Sequence, residues 1–264
     1  MEDKYALITG ATGGLGKAFA YALAEEHYAL LLTGRSEEKL LALQAELKEK
    51  YPEIQTRIYP ADLADKKSRE RLMNELASEG VRLSLLANVV GADIQKGLTE
   101  YTQDKIAFQC RVNFEAAVSL CCFAIENKAK KLEIVNVSSV SGIYPMPYFA
   151  IYSATKGALT SFSQALREEM KGQNVSVTAV LPCAMPTRED IKAQIQGQGV
   201  WGKLAVKSPE AVVKASLKAV RKNKRKVIVG FWNKVMRVAT CWLPTSWRLK
   251  FIAARWSKIS KDSF

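Results

Sequence analysis

"LITGATGGLGKAFA", residues 7–20, decides how the rest of the chain is read. An apolar run ending at Thr9 meets Gly10, Gly14 and Gly16 and then passes into a segment with helical spacing. A strand that turns into a helix through glycines leaves backbone N–H groups exposed at the helix N-terminus, where a pyrophosphate binds. The spacing is G-x-x-x-G-x-G, not the G-x-G-x-x-G of the larger dinucleotide fold. Taken alone it is weak evidence, because an ordinary tight strand-to-helix turn also uses glycine.

The same alternation continues along the chain. Apolar runs at 5–9, 28–33, 54–60, 83–89, 132–138, 175–181 and 226–230 predict seven strands. They are apolar on both faces, as parallel strands covered on both sides are. Segments 14–26, 36–50, 64–79, 102–127, 151–171 and 208–223 have apolar residues at i, i+3 and i+4 and predict helices. The fold class expected is therefore α/β, a Rossmann-type doubly wound parallel seven-stranded sheet with helices on both faces. Residues 1–230 read as one catalytic domain. The irregular insertion 183–207 follows the sixth strand, at the carboxyl end of the sheet where ligands bind, and is expected to be a substrate lid. Residues 231–264 read as a basic, tryptophan-rich helical extension.

With 264 residues and a 48% apolar fraction, the chain can build one large core. Residues 202–264 hold 16 Lys+Arg against two acids, Glu210 and Asp262, whereas the remainder holds 23 basic and 24 acidic residues. All of the net charge of +13 thus belongs to the C-terminal quarter, as do four of the five tryptophans, with Trp201 immediately before it. No secretory signal or run long enough to span a bilayer is apparent in the sequence. The five cysteines are scattered, which suits a reducing, cytoplasmic compartment. With one histidine and no clustered thiols, no metal site is expected.

"YSATK" (152–156) puts Tyr152 and Lys156 four apart, on one face of a helix. A free tyrosine titrates near 10 and is a poor base at neutrality, so the pair asks for an explanation. An ordinary amphipathic helix with a snorkelling lysine would be one. At the end of the second strand stands "TGRS": Arg35 and Ser36 occupy the place where an acid would bind the ribose 2′-hydroxyl of NAD. An arginine there favours a 2′-phosphate, and so NADP.

Together these motifs resemble the short-chain dehydrogenase/reductase family over residues 5 to about 230. "TGATGGLG" is similar to its cofactor turn and implies contacts from Gly10, Thr12, Gly14, Leu15 and Gly16. "ADL" implies an adenine contact at Asp62 and the backbone of Leu63. "NVVG" matches the family's N-N-A-G at Asn88 and Gly91, with Val89 and Val90 as bulkier departures. "VNF" implies the family's helix asparagine at Asn113. Ser139 precedes Tyr152 by thirteen residues, the family spacing. "PCAMPT" matches P-G-x-x-x-T at Pro182 and Thr187, with Cys183 replacing the glycine.

The resemblance implies NADP(H) chemistry on a ketone or secondary alcohol. Tyr152 would be the acid/base and Lys156 would lower its pKa and bind the nicotinamide ribose. Ser139 would hold the substrate oxygen, and Asn113 would position a relay water. It also implies a homo-oligomer. The pocket edge, residues 140–148 with Ala184, Met185, Ile195, Val200 and Trp201, is mostly apolar and suits a bulky substrate. A steroid or bile-acid hydroxyl is the first expectation and a 3-ketoacyl thioester the alternative. A non-catalytic cofactor-binding or membrane-associated scaffold is the reading from another class. The extension carries apolar stripes with basic residues between them. It either packs on the domain, capping the pocket or joining subunits, or lies peripherally on a membrane surface. The former is preferred. No nucleic-acid recognition motif accompanies the charge.

Overall fold

The computed structural model describes residues 4–183, 185 and 206–257. Seven parallel strands are present: β1 (Tyr5–Thr9), β2 (Ala29–Gly34), β3 (Thr56–Pro60), β4 (Leu83–Asn88), β5 (Lys128–Val137), β6 (Val175–Leu181) and β7 (Lys226–Ile228). They form one sheet in the order β3-β2-β1-β4-β5-β6-β7. The order reverses between β1 and β4, so a crevice opens beyond the carboxyl ends of those two strands.

Side chains alternate across the sheet and feed two cores. Ile8, Leu30 and Leu32 meet Phe19 of α1 (Gly14–Glu25), Leu40 and Leu43 of α2 (Glu37–Lys50), and, further along, Val213 and Leu217 of a later helix, Pro209–Arg221. On the other face Leu7, Leu31 and Leu86 meet Leu72 of α3 (Lys66–Ser78) and, from two further helices, Leu120 and Leu166. Strands that are fully buried on both faces explain the unbroken apolar runs in the sequence.

Two segments depart from the sequence reading. β5 begins at Lys128, four residues before the expected start, and its register against β4 shifts between Leu83 and Leu85. Lys128, Lys130 and Lys131 are charged and at least partly exposed, so composition hides this strand start. The helix expected over 102–127 is divided into α4 (Gln103–Cys110), a π-helical turn Arg111–Glu115, and α5 (Ala116–Glu126). Such insertions recur at functional sites, and this one carries Asn113. After α6 (Ala150–Glu169) and α7 (Pro209–Arg221) the extension forms α8 (Phe231–Cys241) and α9 (Thr245–Trp256). Most of the expected lid 183–207, with Ala184, Ile195, Val200 and Trp201, lies outside the described residues.

Candidate active site

A cleft of about 830 Å³ runs across the carboxyl end of the sheet. Its floor is the turn after β1. Gly10 has φ +62°, and a Cβ there would press on the Val90 backbone at 3.1 Å. A Cβ on Gly16 would collide with the Gly10 carbonyl. Gly13 starts α1 without any side-chain cap, and no acid stands in its first turn. The helix N-terminus is therefore open to an anion. Thr12, Gly14 and Leu15 line the same floor.

At one end of the cleft stand Arg35, Asp62 and Leu63, as expected, together with Lys39. Lys39 gave no signal in the sequence, since it stands in the first turn of α2 behind Glu37 and Glu38. Ser36 departs from expectation: its hydroxyl accepts from Lys39 N–H at 3.3 Å as the cap of α2, and it is not part of the cleft wall. Asn88 is a second departure. It is buried beneath the wall, donating to Asn136 Oδ1 at 2.8 Å. A short polar residue at the end of a central strand is drawn into pairing with the neighbouring strand. Thr187 lies outside the described residues. Gly91 and Pro182 line the cleft. Val89 and Val90 pack partly against the cores and also line the cleft, and both N–H groups donate to Thr9 Oγ1, at 2.9 and 3.1 Å.

The other end gathers Ser139, Tyr152 and Lys156. Lys156 is buried, and Nζ donates to the Val137 carbonyl at 2.9 Å and sits 5.8 Å from the centre of the Tyr152 ring. Burial pushes its ammonium down to about 8, while the charge of Asp93 opposes that shift. Ser138 Oγ donates to the Lys156 carbonyl at 2.7 Å, and Gly142 packs so tightly on that carbonyl that a Cβ would lie 2.8 Å from its oxygen. These contacts fasten the loop after β5 onto α6. Ser139 Oγ accepts from Ser141 N–H at 3.2 Å. Ser141 Oγ is buried in the wall and has no hydrogen-bond partner among the described residues.

Asn113 lies beneath these groups. Its Oδ1 accepts from Ala92 N–H at 2.7 Å, and its Nδ2 donates to the Ala92 carbonyl at 2.9 Å and to Thr155 Oγ1 at 3.1 Å. A Cβ on Gly91 would meet Lys156 Nζ at 3.0 Å and Asn113 Oδ1 at 3.1 Å. Arg69, which carried no signal in the sequence, ties the two ends together from below. It donates to the Leu63 carbonyl at 2.7 Å and pairs with Glu115 in the π turn.

The extension completes the wall. Ile252 and Trp256 of α9 line the cleft beside Tyr144, Met146 and Phe149. The Phe149 ring stacks on Tyr152 at 4.3 Å and 20°, and Trp256 lies over Phe149 at 6.3 Å and 19°. Tyr144 shares a hydrogen bond of 2.9 Å with Thr240 of α8 and lies beneath the Arg248 guanidinium of α9 at 5.7 Å. The preferred placement holds for α9, whose Ile252 and Trp256 pack at the pocket, but not for the apolar stripe of α8, where Trp232, Val235 and Met236 are exposed.

An open helix N-terminus, glycines with no room for a Cβ, and a long groove fit a dinucleotide with its pyrophosphate at α1. A family model described as short chain dehydrogenase matches residues 4–196. The chain belongs to the short-chain dehydrogenase family, whose members use a nicotinamide cofactor, and it is an oxidoreductase acting on CH–OH groups. Among curated relatives, the very-long-chain 3-oxoacyl-CoA reductases of Bos taurus and Homo sapiens are each 32% identical over 225 residues, 82% of this chain and 68% of theirs. Among solved structures, a 7β-hydroxysteroid dehydrogenase superposes with a TM-score of 0.83 at 25% identity, over 95% of this chain and 96% of that one. A short-chain dehydrogenase from Sphingobium yanoikuyae, solved with NADPH, superposes with a TM-score of 0.74 at 25% identity, over 98% of this chain and 99% of that one.

Proposed function

We propose that this protein is an NADP(H)-dependent dehydrogenase that interconverts a bulky hydrophobic ketone and its secondary alcohol, a hydroxysteroid being the favoured substrate. One observation carries the reading. The cleft beside Tyr152 is walled by Tyr144, Met146, Phe149, Ile252 and Trp256, an apolar surface contributed partly by the extension. A rigid, largely apolar ring system fills such a space, with its one reacting oxygen directed at Ser139 and Tyr152. The 7β-hydroxysteroid dehydrogenase match supports it, because that match spans nearly the whole chain.

In this reading Gly10, Thr12, Gly14, Leu15 and Gly16 hold the pyrophosphate, and Asp62 and Leu63 contact the adenine. Arg35 and Lys39 take the 2′-phosphate, and Gly91, Pro182 and Lys156 hold the nicotinamide half. The nicotinamide, when bound, supplies or accepts the hydride. Tyr152 gives its phenolic proton to the carbonyl oxygen in reduction and takes it back in oxidation. Lys156 stabilises negative charge on that phenol through its own positive charge. Ser139 donates to the same substrate oxygen as charge develops on it. Asn113 keeps the Gly91–Ala92 backbone against Lys156 and, through its π turn, the proton path behind it.

The test is absorbance of the reduced nicotinamide with a panel of ketosteroids, bile-acid ketones and 3-ketoacyl thioesters. The expected outcome is turnover of a steroid with NADPH and much weaker turnover with NADH. Turnover of thioesters alone would favour the second reading, a 3-ketoacyl thioester reductase, which the 32% identical relatives support. NADPH binding with no turnover of any of them would remove the substrate assignment.

A further inference from the structure

α8 is an amphipathic helix mounted the wrong way round for a water-soluble surface. Asn233, Arg237 and Thr240, at i, i+4 and i+7, are its less exposed positions. Asn233 Nδ2 donates to the Val229 carbonyl at 2.7 Å, and Thr240 meets Tyr144. Phe231 (71% exposed), Trp232, Val235, Met236 and Val238 face outward. A helix that rests on a domain through its polar stripe leaves its apolar stripe to be covered by something else.

α9 adds to the same surface. Ile252 and Trp256 lie on its inner side, whereas Trp247 and Phe251, one turn apart on the other side, are 67% and 71% exposed. Trp242, at the junction of the two helices, is 86% exposed. Lys234 and Lys250 are exposed among these residues, with Arg237 and Arg248 at intermediate depth. No Asp or Glu occurs anywhere between residues 231 and 257.

We infer that this outer face of α8 and α9 docks on an anionic lipid bilayer. Tryptophan, phenylalanine and aliphatic side chains set among lysines, with no acid, match an interface whose interior is apolar and whose headgroups are negative. A second copy of the chain fits less well. A two-fold contact sets a patch against itself and would bring cation to cation with no acid to relieve them. Because α9 lines the cleft with its inner side, a docked protein holds the cleft next to the bilayer, and a lipid-soluble substrate exchanges between the two without crossing water.

The experiment is cosedimentation of the full chain with vesicles of phosphatidylcholine alone and of phosphatidylcholine with phosphatidylglycerol. We expect binding to the anionic vesicles, a blue shift of tryptophan fluorescence with it, and weakening by salt. A W242S/W247S/F251S variant, and separately K234E/K250E, should each lose roughly tenfold or more of the vesicle affinity. Both should keep the NADPH affinity of the wild-type protein, which shows that they are folded. Failure of the wild-type protein to sediment with anionic vesicles would overturn the inference. So would variants that sediment like wild type. A dimer in sedimentation velocity that the W242S/W247S/F251S variant abolishes, with no vesicle binding by wild type, would assign the face to a second copy instead. None of these readouts depends on the substrate, so the docking surface and the hydroxysteroid reading stand or fall separately.

Discussion

α1 and α8 are helices of similar length with opposite allegiances. α1 turns Leu15, Phe19 and Leu23 into the sheet and leaves Lys17 to pair with Glu46 at 3.2 Å. α8 turns Asn233, Arg237 and Thr240 toward the domain and its apolar side chains away from it. The first belongs to a domain that finishes its own core. The second belongs to an extension that the described residues leave only half covered. Periodicity in a sequence reveals that a helix has two faces, but the neighbours decide which of them is inside.

If the two regions divide the work in this way, damage to the first abolishes chemistry or cofactor binding and damage to the second alters what the cleft admits or where the protein docks. The largest expected effect is that of Tyr152→Phe. Turnover should fall by about 10³-fold, the middle of what a positioned acid/base supplies, while NADPH fluorescence titrations remain those of the wild type. Equal turnover in the two proteins would remove Tyr152 from the reaction.

Next comes a stability effect confined to the catalytic domain. The Lys156 ammonium falls from an ordinary 10.5 to about 8 on folding. Between those values the unfolded chain holds a proton that the folded protein does not. Stability therefore rises with pH across that window, by about 1.4 kcal/mol per unit. Lys156→Met lacks this rise. Urea unfolding of both ligand-free proteins should show the difference moving in favour of wild type from about pH 8 to about pH 10.5. A difference that stays flat with pH would contradict the burial argument.

Arg35→Ala combined with Lys39→Ala should weaken NADPH roughly 10- to 100-fold and NADH hardly at all, since only the former carries the 2′-phosphate. Equal weakening of both cofactors in calorimetry would mean that the two cations act elsewhere. The smallest effect tests the second region. Trp256→Ala should raise KM for the bulky substrate roughly tenfold and leave NADPH affinity alone, with Trp256→Phe restoring most of the loss. A change in cofactor affinity would break the division between the regions.

The sheet was readable because its strands are buried on both faces, which forces unbroken apolar runs. Lys128–Lys131 escaped notice because only Lys128 pairs, with Leu83, and the residues after it fall in a register shift at a strand end open to water, where composition is unconstrained. The helix interruption at Arg111–Glu115 was hidden for a different reason. Its residues carry no helix-breaking glycine or proline, and the contacts of Asn113 with Ala92 and Thr155 come from segments distant in sequence. The glycine turn, Arg35 and the Tyr152–Lys156 spacing were legible as local patterns. Lys39 and Arg69 were not, because their significance depends on a groove and a carbonyl supplied by other segments. Ser36 and Asn88 stood at motif positions, but their side chains serve helix capping and strand pairing. The Trp256–Phe149–Tyr152 stack joins residues more than a hundred positions apart, and no periodicity records it.

The seating of the extension has a further consequence. What holds α8 and α9 at the pocket is side-chain contact, Tyr144 with Thr240 and Arg248, and Phe149 with Trp256. The sheet and the cofactor floor take no strand pairing from it. The tail is thus an exchangeable part: an evolving or engineered lineage can rewrite residues 231–257 and acquire a new substrate range while inheriting its catalytic machinery intact.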